Sequence, residues 1–120
     1  QEGRADLARR DYPKAEAAAR EVLANRTSPR AYDARLLLAQ ALSGQRQYAQ
    51  AAIAFDDAYN SSRKGAHAQD ALLGLADSLS AINEKKAACD SLARLRAEFP
   101  QPRPDIAAGA AAAARKTGCH

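Results

Sequence analysis

The segments "DYPKAEAAAREV" (11–22), "QYAQAAIAFDDA" (47–58) and "EKKAACDSLARL" (84–95) decide the fold of this chain. Laid over one another, they put Ala15, Ala51 and Ala88 in one column. Ala19, Phe55 and Leu92 fill a second column, and Val22, Ala58 and Leu95 a third. Tyr12, Tyr48 and Lys85 also align. Columns three and four residues apart lie on one face of an α-helix. The segments are spaced by 36 and then 37 residues. The residues ahead of them repeat too, because "RLLLAQAL" (35–42) matches "LLGLADSL" (72–79) at an offset of 37. Two helices recurring in series are a repeated hairpin, and repetition at such a period is the mark of a stacked array.

Breaks in the pattern divide the chain. They are "TSPR" (27–30), "SGQRQ" (43–47), "SSRKGA" (61–66) and "FPQPRP" (99–104). Ser28 before Pro29 reads as an N-cap followed by proline in the first turn. Pro100 and Pro102 stop a helix, and Pro104 or Asp105 starts the last one. The spacing predicts helices over 3–10, 13–25, 29–43, 47–61, 66–82, 84–99 and 105–116. No alternating run of Val, Ile or Thr reads as a strand. The expected class is all-α, an α-solenoid of about three helical hairpins with a C-terminal capping helix. One domain over 1–120 is expected, with repeats at roughly 1–27, 28–64 and 65–100 and the cap at 105–117.

Composition agrees with close helix packing. Alanine fills 32 of 120 positions, aromatics are 5%, and Met and Trp are absent. Alanine is the best helix former and lets helices approach closely. The length suits one domain with a modest core. No apolar run of about 18 residues occurs, so membrane insertion is not expected. The opening residues do not read as a secretory leader. "EGRADLARR" reads as the second half of a helix, the sign of a mature fragment or a trimmed piece. Net charge is +4, from 18 basic and 14 acidic residues. The charges are interspersed and no nucleic-acid motif occurs, so they read as solvated helix faces and no nucleic-acid partner is expected.

The hairpin pattern resembles the tetratricopeptide repeat, whose usual period is 34. The matching positions are Leu38, Ala39, Leu42, Ala51, Phe55 and Ala58, then Leu75, Ala76, Leu79, Ala88, Leu92 and Leu95. The tryptophan of the consensus is missing, with Arg35 and Leu72 in its place. Stacked hairpins curve, with first helices on the inner face and second helices outside. In this register the inner face presents Arg4, Leu7, Asp33, Leu36, Leu37, Gln40, Asp70, Leu73, Asp77 and Ser80. That mixture of an apolar strip and acidic edges suits a peptide or helix with apolar anchors and basic flanks. Leu36 and Leu73 could equally pack between helices.

Nothing points to catalysis. Only His67 and His120 could act as imidazoles. His67 reads as a surface residue at a helix start, and His120 is compatible with either a native residue or a tag. Zinc-like ligand spacing and phosphate-binding glycine motifs are absent, so no metal or cofactor is expected. Asp56 and Asp57 fall on different sides of a helix.

Two cysteines, Cys89 and Cys119, allow one pairing. Cys89 can be read as a small core filler, as a thiol activated by Lys85 and Lys86, or as half of a bridge. Geometry favours the bridge. Cys89 to Phe99 is about 15 Å of helix, and Asp105 to Lys116 is a similar length. A closing helix that folds back therefore returns Cys119 to the level of Cys89, with Gly118 allowing a bend. Such a bridge would contribute about 3–4 kcal/mol and would imply an oxidising compartment such as a periplasm.

The stretch "AHAQDALLGLADSLSAINEKKAACDSLARLRAEFP" (66–100) resembles the last repeat of the periplasmic Tol-Pal system tetratricopeptide protein, the cell division coordinator (YbgF/CpoB) family. The likeness rests on an Ala- and Leu-rich helix, a polar turn, "KAAC", the "FP" that follows, and a closing helix ending in a cysteine. It implies a periplasmic adaptor that engages a TolA-like protein partner and couples envelope constriction with cell-wall synthesis. It implies no catalytic residue. Members also carry an N-terminal coiled coil that places oligomerisation in a segment missing here. The alternatives are another tetratricopeptide scaffold of envelope assembly or a cytosolic co-chaperone adaptor. A clamp for acidic tails would line its groove with Lys and Arg, whereas these positions are acidic.

Overall fold

A computed structural model describes residues 2–119. Gln1, where the first repeat is expected to begin, and His120, with its native-or-tag reading, lie outside the described residues. Seven helices follow one another: α1 Glu2–Ala8, α2 Tyr12–Ala24, α3 Ala31–Gly44, α4 Tyr48–Ser61, α5 Ala68–Ala81, α6 Lys85–Glu98 and α7 Pro104–Thr117. There is no strand among the described residues. α1–α2, α3–α4 and α5–α6 are antiparallel hairpins, and α7 closes the row. The chain is thus an all-α solenoid of the tetratricopeptide type. The first helices α1, α3, α5 and α7 pack directly on one another along the row, whereas the backbones of α2, α4 and α6 stay apart. The row is therefore tight on the first-helix side and splayed on the other, which makes the first helices its inner face.

The aligned columns become the core. Ala15, Ala51 and Ala88 are each fully buried. Phe55, Leu92 and Leu95 follow them inward, with Leu72 from α5. Each large aliphatic buried this fully contributes about 1.5–3 kcal/mol. Tyr59 is also fully buried, and its hydroxyl donates to the Glu98 carboxylate across the α4–α6 gap. Arg63 and Arg94 lie over its ring at 5.5 and 5.8 Å.

The turns are built differently from the expectation. Each hairpin turns on a residue with left-handed backbone: Arg10 (φ 61°), Arg46 (φ 62°) and Asn83 (φ 65°). The next amide reaches back five residues, as Asp11 N–H to Asp6 O, Gln47 N–H to Leu42 O and Glu84 N–H to Leu79 O. This is the Schellman arrangement, which satisfies carbonyls at a helix end. α7 ends the same way with Gly118 at φ 84° and Cys119 N–H bonded to Ala114 O. Gly44, at the "SGQRQ" break, instead belongs to the last turn of α3, where a Cβ would lie 2.3 Å from the Tyr12 ring. Ser28 is not the cap of α3. Its Oγ accepts from Arg30 N–H in a turn that precedes the helix, and Arg30 is the N-cap residue.

Candidate functional site

The inner face starts from the first turns of α3 and α5. Asp33 Oδ1 lies 2.7 Å from Nε2 of His67, at the head of α5. The His67 ring stacks on Tyr32, and the His67 amide donates to the Tyr32 hydroxyl. His67 is consequently half-buried in a junction between repeats and is not a surface residue. One repeat later the arrangement recurs with other residues. Asp70 Oδ1 accepts from the Arg103 guanidinium at 2.7 Å, and the Arg103 amide donates to Gln69 Oε1. Arg103 also reaches Asp105. These bonds from Asp70 and Asp105 hold the Arg103 guanidinium above its ordinary pKa and draw the Asp105 carboxyl below its own. Each first-turn aspartate thus clasps the side chain that opens the next first helix.

The positions expected on the inner face separate into two groups. On α5, Asp70, Leu73, Asp77 and Ser80 run along the seam with α7. Leu73 Cδ2 lies where a Cβ on Gly109 would come within 2.7 Å of it, and Ser80 Oγ accepts from the Thr117 hydroxyl. Asp77 is open to solvent at its edge, but the neighbouring chain desolvates its carboxyl and raises its pKa, with Lys116 of α7 pulling it down. Leu36 is a correction, because at 7% exposure it belongs to the core and offers nothing to a ligand. Leu37 is half-buried against Gly3 of α1. Arg4 is exposed, and Leu7 and Gln40 are partly so. Arg4, Leu7, Leu37, Gln40 and Asp77 remain as the open part of the inner face. The apolar strip with acidic edges is therefore reduced. Leu36 and Leu73 pack between helices, and Asp33 and Asp70 already have partners in His67 and Arg103.

Cys89 of α6 and Cys119 beyond α7 are joined by a disulfide, with Cα atoms 5.5 Å apart. Beside it, Ala76, Leu92 and Ala113 form a small cluster against which Leu73, Ala110 and Cys119 pack. α7 therefore covers the end of the stack, pinned covalently at its C-terminal end and by Arg103 at its N-terminal end.

The splayed outer side holds a feature that the sequence reading missed. A groove of about 300 Å³ opens between α2 and α4, with α3 as its floor. Leu23, Leu38, Leu42 and Ile53 supply its apolar surface, and Arg20, Arg35 and Asp57 its charge. A second groove of about 270 Å³ lies one repeat on, between α4 and α6, and is lined by Asp56, Asp90 and Arg94 around Leu75 and Leu79. The signal for the first groove was available in the columns, because Ile53 stands where the neighbouring repeats carry Ala17 and Asp90.

The tetratricopeptide repeat family matches residues 70–102, which span α5, α6 and the turn that follows. That stretch contains the hairpin whose columns match the one before it. The chain carries a tetratricopeptide repeat. No curated protein shows a significant match to the chain. Tetratricopeptide arrays are scaffolds for protein–protein contact, and this chain presents exposed faces of helices. No helix among the described residues is long and apolar enough to cross a membrane.

Proposed function

We propose that this protein is a periplasmic adaptor of the Tol-Pal cell-division type. In this reading it binds a TolA-like protein partner through the open inner face and helps couple envelope constriction with cell-wall synthesis. One observation carries the reading: the matched hairpin is tied through Cys89 to Cys119 of the closing helix. A persistent bridge of this kind belongs to an oxidising compartment. The inner surface offered to the partner is Arg4, Leu7, Leu37, Gln40 and Asp77. The cytosolic co-chaperone alternative fits less well, because the inner-face side chains His67 and Arg103 are already held by Asp33 and Asp70.

The test is capture of the oxidised protein by the purified periplasmic part of TolA, followed by titration calorimetry. Binding that is weakened by Arg4→Glu and Asp77→Lys supports the reading. An intact, oxidised protein that shows no binding overturns the choice of partner, and binding indifferent to both substitutions overturns the choice of face.

A further inference from the structure

The outer grooves provide an internal comparison, because the same fold position occurs once per repeat. At the floor, Arg35 stands where the next repeat has Leu72, which is fully buried. At the rim, Ile53 stands where the next repeat has Asp90 and the previous one Ala17. Packing therefore demands neither a cation at the floor nor a large apolar side chain at the rim. Yet Ile53 is 67% exposed, the most open large hydrophobic residue among those described. Arg35 is half-buried beside Leu38 and Leu42 and forms no ion pair with any described residue. A guanidinium without a carboxylate partner can form a charge-assisted, bidentate hydrogen bond with an incoming carboxylate. The rim's other cation, Arg20, already holds Glu16.

We propose that the groove between α2 and α4 is a second docking surface, which receives an acidic amphipathic segment of a protein partner. An apolar side chain of that segment lies against Ile53, Leu38 and Leu23, and an adjacent Asp or Glu carboxylate accepts from the Arg35 guanidinium. Two walls of helix with an apolar floor suit a third helix laid between them, anchored at helical spacing. The volume of about 300 Å³ takes a few side chains rather than a whole ligand. Asp57 on the α4 rim disfavours a second acid there and so sets the direction of the segment. The sister groove, with Asp56 and Asp90 exposed and Leu72 in place of Arg35, lacks this pairing of apolar rim and basic floor. The surface lies opposite the inner face and does not depend on the function proposed for it.

The experiment selects binders from a displayed library of random peptides on the oxidised full chain and measures the best of them by fluorescence anisotropy. Enriched peptides are expected to place an acidic residue next to apolar residues at helical spacing. Ile53→Asp is expected to weaken the best peptide about tenfold or more. Arg35→Leu is expected to remove about tenfold of its advantage over the same peptide with its acid changed to the amide. Both variants use the residue that the next repeat carries at that position, and thermal melting confirms that they are folded. The proposal is overturned if no acidic peptides are enriched, or if their affinity survives both substitutions. It is also overturned if the chain self-associates and Ile53→Asp abolishes that association, since the occupant is then a second copy.

Discussion

Removing the covalent tie on α7 is the perturbation with the clearest magnitude. Cys89 and Cys119 are 30 residues apart. Loop closure over that length stabilises by about 3.6 kcal/mol at 25 °C in the chain-entropy account. A chain of this size unfolds with an entropy of about 250 cal/mol/K, so the loss corresponds to about 14 °C in Tm. The effect should also be uneven along the chain. Apart from the bridge, α7 is held by Ile106, Ala113 and Thr117, its buried residues, and by the Arg103 clasp. A 14-residue helix is marginal once detached, so α7 should open before the rest. The assay compares the oxidised protein with the Cys89→Ala/Cys119→Ala variant by calorimetry and by amide hydrogen exchange. The expected result is a Tm lower by about 10–15 °C, with α7 amides exchanging well ahead of those of α3 and α4. Thiol alkylation with and without reductant checks the starting state. Alkylation of both cysteines without reductant refutes the reasoning, as does a variant whose Tm and α7 exchange both match the parent.

Four further outcomes follow from single positions. Gly74→Ala puts a Cβ 2.3 Å from the Phe55 ring. Overpacking costs about 1–3 kcal/mol against about 1 kcal/mol gained in helix propensity, so urea denaturation should show a net loss. Ser78 Oγ is buried with no partner among the described residues, and the equivalent residue one repeat earlier is Ala41. Ser78→Ala should therefore stabilise by about 1 kcal/mol in the same assay. Arg46→Gly relieves a left-handed turn and should stabilise by about 0.5–1 kcal/mol, which chemical denaturation can read. The Glu16 carboxyl is held below its ordinary pKa, first by the hydrogen bond from Gln45 and then by Arg20. Its contribution is thus present above the ordinary glutamate range and lost as pH falls through the lowered value. Gln45→Ala should raise the Glu16 titration midpoint in carboxyl NMR and shift acid unfolding to higher pH.

The helices and their pairing were legible because burial leaves a period in the sequence. Ala51, Phe55 and Ala58 share columns with Ala88, Leu92 and Leu95, and packing accepts little else in those places. The turns were not legible. Arg10, Arg46 and Asn83 adopt the left-handed backbone without being glycine, and Gly44, which reads as part of a break, lies in the last turn of α3 against Tyr12. The inner-face positions were assigned from helical spacing alone, which cannot tell an open strip from a seam. Only the placement of α7 shows that Leu73 meets Gly109 and Ser80 meets Thr117. The clasps Asp33–His67 and Asp70–Arg103 join residues more than thirty positions apart. Their trace was an aspartate recurring in one column, with a basic group at the start of the next helix.

The arrangement of contacts also determines how the molecule deforms. The first helices touch along the inner side and are clasped at their heads, while the backbones of the second helices stand apart, with Tyr59, Glu98 and Arg94 bridging only α4 and α6. Such a body resembles a folding fan riveted along one edge. Bending that spreads α2 from α4 breaks no direct contact between those two helices, whereas spreading α4 from α6 breaks the Tyr59–Glu98 hydrogen bond, and bending the other way must pull the riveted side open. The soft mode therefore widens the gap between α2 and α4 and leaves the spacing of α3 and α5 nearly constant. A load that pulls on the ends of the array would be felt first as a change in the outer groove.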